Sequence, residues 1–305
     1  MAMRAVALGL GLAMMLAAPA TAQDGVPDEA DDPSSTAVAL RAVETRMTVE
    51  VAVNGAGPFR FIVDSGANRT VISARLAALL RLPPAGEVRL HSVGGTGVVP
   101  TVRIAALGLG TLPARAIVAP VLDEGNLGAA GILGIDALAN RKVVIDLIRN
   151  RMTVEPGDRV ARAAATDEIV VTATRRNGQL VMVDADAAGQ RIWAVMDTGG
   201  MVTIGNGVLR AKLVRRGRVA PIDTTITDVV GNIVPASFVA IGAIRIGGFR
   251  LVNPMIAFAD SQAFSQFGLD AKPSMLVGMD MMRAFRRVSI DFRRRTVRLT
   301  RRGDA

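Results

Sequence analysis

From Met47 to Val53 the chain alternates, with Met47, Val49, Val51 and Val53 on one side and Thr48, Glu50 and Ala52 on the other. A period of two marks a strand buried on one face. Asn54-Gly55-Ala56-Gly57 has turn chemistry, so the pattern predicts a hairpin into a second strand over residues 59–63. Residues 73–81 have helical spacing: Leu76, Leu79 and Leu80 are its apolar positions, and Pro83-Pro84 stops it. Residues 88–104 again read as two strands, reversing at Gly94-Gly95-Thr96-Gly97, a glycine-rich and therefore mobile tip. Further strands are predicted over residues 168–176, 179–185 and 191–196, with a matching hairpin tip at Gly231-Asn232. Asp136 and Asp280 each follow a glycine and an apolar residue and open a short helical stretch. Both read as helix N-caps whose carboxylates accept backbone N–H bonds. Asp146 and Asp291 precede basic turns and are expected to pair with neighbouring arginines.

This succession of strands contains an internal repeat. Phe61-Ile62-Val63-Asp64-Ser65-Gly66 and Ala194-Val195-Met196-Asp197-Thr198-Gly199 place Asp-(Ser/Thr)-Gly at the end of an apolar run, with the two aspartates 133 positions apart. Downstream come Val99-Pro100 and Val234-Pro235, then Ile132-Leu133-Gly134-Ile135-Asp136 and Leu276-Val277-Gly278-Met279-Asp280. Each half closes on Val144-Ile145-Asp146-Leu147 or Ser289-Ile290-Asp291-Phe292 and a basic turn. Four landmarks in the same order indicate duplication, with extra length in the second half around residues 261–271. Two carboxylates at equivalent places in related halves can meet across a pseudo-twofold axis. At about 3 Å apart such a pair keeps one proton between its members, so one is acid and the other base.

Composition removes most other chemistries. The chain has no cysteine and a single histidine, His91. That excludes disulfides, thiolate nucleophiles and a two-histidine zinc site, and it leaves a serine triad only His91, with no nucleophile elbow nearby. No phosphate-binding Gly-x-x-x-x-Gly-Lys-(Ser/Thr) stretch occurs. A glycosidase also uses two carboxylates, but one Trp and no Tyr leave few platforms for stacking sugars. Neither a metal nor a cofactor is expected.

Asp-(Ser/Thr)-Gly, a strand pair, a glycine-rich hairpin and a Leu/Ile-(Leu/Val)-Gly segment, in that order and twice, resemble the retropepsin-like aspartic proteases. Leu276-Val277-Gly278-Met279-Asp280-Met281-Met282, running into Ile290-Asp291-Phe292, is similar to their secreted bacterial members. Two copies in one chain resemble the pepsin arrangement. The resemblance implies an all-β fold: two closed β-barrel lobes about a pseudo-twofold axis, each with a short helix or two. It implies an aspartic endopeptidase in which Asp64 and Asp197 activate a water. Ser65, Gly66, Thr198 and Gly199 would stabilise the two loops, and Gly94, Gly95, Thr96, Gly97, Gly231 and Asn232 would form the flaps over substrate. A catalytically inactive peptide-binding or scaffold protein of the same fold is the alternative. A pepsin-type flap tyrosine is absent, since the chain has no Tyr, and Gly200 stands where the first half has Ala67.

Residues 1–22 read as a secretory signal: Arg4 gives the positive start, an apolar stretch follows, and Ala20-Thr21-Ala22 is a small-x-small site with the cut expected after Ala22. This predicts a periplasmic or secreted protein. Residues 23–40 form an acidic, flexible leader, 41–157 lobe one, 158–167 a linker and 168–305 lobe two. The formal net charge is +9, with arginine clusters at Arg175-Arg176, Arg215-Arg216-Gly217-Arg218, Arg293-Arg294-Arg295 and Arg301-Arg302. Such a surface suits peripheral contact with anionic envelope surfaces. Scarce aromatics and no recognisable binding module argue against nucleic acid. The expected partner is a peptide or protein substrate, and the expected state is a monomer.

Overall fold

The computed structural model describes residues 35–37, 47–110, 112–158, 160, 163–176, 179–182, 185–214 and 221–302. The expected signal, most of the leader and the Arg215–Arg218 cluster lie outside these residues. Within the leader, Ser35–Ala37 forms a short strand parallel to Phe249–Val252, which differs from an unstructured reading of that stretch.

The alternating segment is the strand Thr48–Val53, and Met47, Val49, Val51 and Val53 are all buried. It turns into Ala56–Val63, whose last three residues are buried and form a wall of the first core. The sheet then runs through Gly131–Leu133, Val71–Ser73, Leu112–Leu122 and Gly95–Leu109. It closes on itself because Ala52 and Val53 also pair with Gly108 and Leu107. Six strands thus make a closed barrel, and Pro84–Ser92 extends it as the outer arm of a hairpin with Gly95–Leu109. The helix predicted over residues 73–81 is shorter, Ala74–Leu79. Ser73 caps it by accepting a bond from the Leu76 N–H at 3.1 Å. Leu76 and Ala77 make its contact with the core, while Leu79 is 69% exposed.

The second half does not form the closed barrel expected of it. Ala185–Ala187 pairs with Ala243–Ile246 much as Thr48–Val53 pairs with Gly95–Leu109. Here, however, the long strands are cut. Ile233–Ala240 is separated from Ala243–Ile246, and Phe249–Val252 from Met255–Ala259. Asn253 turns with φ 50° and Pro254 has no N–H to give the ladder, so regular pairing is interrupted there. The Ile241 N–H to Pro254 carbonyl and Asn253 N–H to Gly242 carbonyl bonds, both 3.0 Å, still cross the gap, but the strands fall into two sheets instead of one ring.

One sheet joins the halves. Arg151–Pro156, Arg141–Asp146, Arg287–Asp291, Thr296–Thr300 and Glu168–Arg176 lie side by side in that order. The central antiparallel pair sets Val143 opposite Ile290 and Ile145 opposite Val288, all four buried. The Arg298 guanidinium meets the Glu168 carboxylate at 2.7 Å where both are nearly covered. Asp146 pairs with Arg149 and Arg287, as expected of it. Asp291 is buried and accepts the backbone N–H groups of Asp158, Arg293 and Arg294.

Candidate active site

Each aspartate of the repeat leaves the sheet at the end of an apolar strand flanked by a parallel neighbour. Ala56–Val63 runs parallel to Gly131–Leu133, and the Asp64 N–H bonds the Leu133 carbonyl at 2.9 Å. Trp193–Met196 runs parallel to Ser274–Val277, and the Asp197 N–H bonds the Val277 carbonyl at 2.9 Å. Burying both strands fixes where the carboxyls emerge, half-buried and facing one another.

The loops are locked to each other by reciprocal hydrogen bonds. The Ser65 N–H donates to Thr198 Oγ1 at 3.0 Å, and the Thr198 N–H donates to Ser65 Oγ at 3.1 Å. Ser65 Oγ then donates to the Met196 carbonyl at 2.6 Å, and Thr198 Oγ1 to the Val63 carbonyl at 2.7 Å. Both side chains are buried, so each hydroxyl uses its donor and its acceptor on the opposite half. Asp64 Oδ1 accepts the Gly66 and Ala67 N–H groups at 2.7 and 3.0 Å. Asp197 Oδ1 accepts those of Gly199 and Gly200 at 3.1 and 3.0 Å. Gly200 therefore makes the bond that Ala67 makes. A Cβ on Gly66 would fall 2.9 Å from Asp197 Oδ1 and 3.0 Å from Asp64 Oδ1, and one on Gly199 would overlap the Asp64 carboxyl. Both positions need glycine because the carboxyls press against the backbone.

Those carboxyls are within hydrogen-bonding reach of each other. Burial, then the charge of Asp197, pushes the Asp64 pKa well above 3.8, and the N–H bonds from Gly66 and Ala67 offset this only in part. The pair therefore retains a proton at pH values where isolated carboxyls are ionised.

Behind the loops lies a second matched set that the sequence reading missed. Thr70 and Thr203 each follow their aspartate by six residues. The Thr70 N–H and Oγ1 donate to Asp136 Oδ1 at 2.8 and 2.7 Å. The Thr203 N–H donates to Asp280 Oδ2 at 2.9 Å and its Oγ1 to Asp280 Oδ1 at 2.6 Å. The same hydroxyls accept the Gly134 and Gly278 N–H groups. Asp136 and Asp280 are consequently not the N-caps. Gly134 and Gly278 hold those positions, and the aspartates sit one step inside the helices Ile135–Leu138 and Met279–Met282, bracing the loops. Burial raises the Asp280 pKa despite its bonds from Thr203 and Met281. The recurring threonine was the signal available in the sequence.

Asp64 and Asp197 form the floor of a cavity of about 250 Å³. Its walls are apolar: Ile62 and Ile132 from one half, Ile204, Phe238 and Leu276 from the other. The extra length of the second half becomes a helix, Gln262–Gln266, capped by Ser261, and Ala263, Gln266 and Phe267 reach the cavity. The corresponding helix of the first half, Glu124–Leu127, does not. Two hairpins make the roof. Gly94, Gly95, Thr96, Gly97, Gly231 and Asn232 sit at their tips, but the hairpin residues lining the cavity are His91, Ser92 and Val93 on one side and Thr225, Ile226, Thr227, Asp228 and Val229 on the other. Asp228 was not singled out by the sequence, because nothing in a linear pattern shows that a turn aspartate faces the opposite hairpin.

A protein-family model described as aspartyl protease matches residues 49–137, from the first alternating strand through Asp64-Ser65-Gly66 to the helix at Asp136. No curated protein matches the chain.

Proposed function

We propose, from the premise that residues 49–137 are a retropepsin-like aspartyl protease domain, that the chain is an aspartic endopeptidase whose second half supplies the partner carboxylate. The observation that carries this reading is the reciprocal lock of Ser65 and Thr198, which sets Asp64 and Asp197 against each other on the floor of a roofed cleft. A pair that shares one proton has both parts needed for hydrolysis. The ionised carboxylate takes a proton from a water as its oxygen attacks the peptide carbonyl carbon. The protonated carboxyl donates its hydrogen bond to the carbonyl oxygen and stabilises the developing negative charge. Proton transfer to the amide nitrogen then lets the C–N bond break, giving a new carboxyl end and a new amino end.

A single chain provides both aspartates, each at the end of a strand in its own sheet, and the Ser65–Thr198 bonds bring them together, so the working form is a monomer. The halves derive from duplication, and the divergence of the second from a closed barrel followed. The apolar cavity suits a peptide segment with apolar side chains beside the scissile bond. The periplasm, or the space outside the cell, is its place of work, reached through the expected signal at residues 1–22. The arginine-rich surface supports contact with anionic envelope components there.

The decisive assay incubates the purified protein with a mixed peptide library between about pH 3 and pH 8. Cleavage that a statine-type inhibitor blocks supports an endopeptidase. Peptide capture without cleavage would replace that reading with a binding protein of the same fold. Light scattering after gel filtration tests the monomer.

A further inference from the structure

Asp228 is almost fully buried, yet none of the chemistry above uses it. It sits in the turn that ends the strand Ile222–Thr227. Its Oδ1 accepts the N–H groups of Val230 and Asn232 at 2.9 and 2.8 Å, and its Oδ2 accepts Asn232 Nδ2 at 3.0 Å. Two further bonds come from the other half of the molecule: Ser92 Oγ donates to Oδ2 at 2.6 Å and the Gly94 N–H at 2.9 Å. The carboxylate is therefore shared between the tips of the two hairpins. Burial alone would raise its pKa, but the bonds from Ser92, Asn232 and Gly94 outweigh burial and hold it below the ordinary value.

Packing around this contact follows the same crossing pattern. Val93, from the first hairpin, packs into the apolar cluster of the second half that holds Phe264 and Leu276. Val229, from the second, packs into the cluster of the first half that holds Ile62 and Leu127. Gly94 lies so close to the facing turn that a Cβ there would come within 2.7 Å of the Asn232 Cβ and 2.8 Å of Asp228 Oδ2. A second contact holds the edge of the first hairpin: Thr96 Oγ1 donates to Gln262 Oε1 at 2.9 Å, and the Gln262 N–H bonds the Val93 carbonyl at 3.3 Å. The cavity remains beneath this closed roof, so closure is compatible with an occupied site.

We propose that Asp228 is a positioning residue whose carboxylate ties the first hairpin to the second and so holds the roof over the two floor aspartates. It touches no reacting atom. Opening the roof gives the Ser92 hydroxyl, the Gly94 N–H and one face of the carboxylate back to water, which replaces the lost bonds, so the tie is reversible. Closing it sets the roof residues His91, Ser92 and Val93 against whatever lies in the cleft. The kinetic consequence rests on the peptidase reading, whereas the tie itself does not.

Amide hydrogen exchange on the intact protein tests the tie directly. In Asp228→Ala, peptides covering residues 90–97 and 228–234 exchange at least about tenfold faster, as expected for losing charge-assisted bonds. Peptides from the joining sheet keep their protection. Ser92→Ala, which removes one donor and is far less disruptive, gives a smaller increase in the same peptides. In peptide cleavage, Asp228→Ala raises KM by about tenfold while kcat changes by less than about threefold, because the floor pair is untouched. Unchanged exchange at residues 90–97 in both variants overturns the proposal. So does a KM equal to or below that of the parent protein, which would make the contact a barrier to substrate. If the parent cleaves no peptide, the peptidase reading fails, and the exchange result still decides the tie.

Discussion

In the first half Asp64 Oδ1 accepts two consecutive N–H groups, those of Gly66 and Ala67, and in the second half Asp197 Oδ1 accepts those of Gly199 and Gly200. The bracing bonds repeat as closely, Thr70 to Asp136 and Thr203 to Asp280. Away from the floor the halves part company. Gly95–Leu109 is one strand of 15 residues, but its counterpart is split at Ile241 and Gly242. Among the described residues, only the second half sends a helix into the cavity wall. The difference shows where the constraint lies. At the Ser65–Thr198 lock each buried hydroxyl is spoken for by the opposite half, so a change on one side leaves an unpaired group on the other. The barrel wall carries no such reciprocal demand, and a strand break there costs only local ladder bonds.

The largest expected effect tests whether the floor works as one unit. Asp64→Asn and Asp197→Asn should each lower kcat/KM on a cleaved peptide by at least about 10²-fold. A variant retaining activity would mean that the halves act separately, and the equivalence drawn above would be one of form alone. Next come Gly66→Ala and Gly199→Ala. Each places a methyl group against a carboxyl, so both should lose activity and stability, with Gly199→Ala the worse because its Cβ overlaps Asp64 directly. Reversal of that order in denaturant melts would break the assigned asymmetry. Ser65→Ala and Thr198→Ala should destabilise by similar amounts, about 1–3 kcal/mol for each backbone group left unpaired. Loss of stability in one variant alone would show that the lock is carried from one side.

The smallest effect is a pH dependence. The folded-state pKa of Asp64 is raised, so the folded chain holds that proton more tightly than the unfolded chain does. Its contribution to stability is full below 3.8 and is lost as pH rises from there through the raised value. Asp64→Asn removes that loss. Its stability margin over the parent should widen with rising pH across this window and then level off, as read from thermal melts at a series of pH values. A margin that does not change with pH would mean that Asp64 titrates as an exposed carboxyl does.

Much of this was open to reading from the chain. Alternation at Met47 to Val53 fixed a strand and its buried face, since the side-chain period of a strand is two whatever surrounds it. The repeated Asp-(Ser/Thr)-Gly at the ends of apolar runs located the floor and its locking hydroxyls, because those bonds join residues near the aspartates in both copies. The same repeat carried Thr70 and Thr203, which went unread. Asp136 and Asp280 look like caps in the sequence, because a carboxylate opening a helix looks alike whether it binds its own helix alone or, as here, accepts the Ala137 or Met281 N–H together with a threonine from a distant loop. Tertiary structure alone decided the opening of the second barrel, the entry of Phe267 into the cavity and the meeting of Asp228 with Ser92. Local pattern encodes which face of a segment is apolar, but which hairpin a turn carboxylate will meet depends on how two sheets pack, and that is set by contacts far apart in the chain.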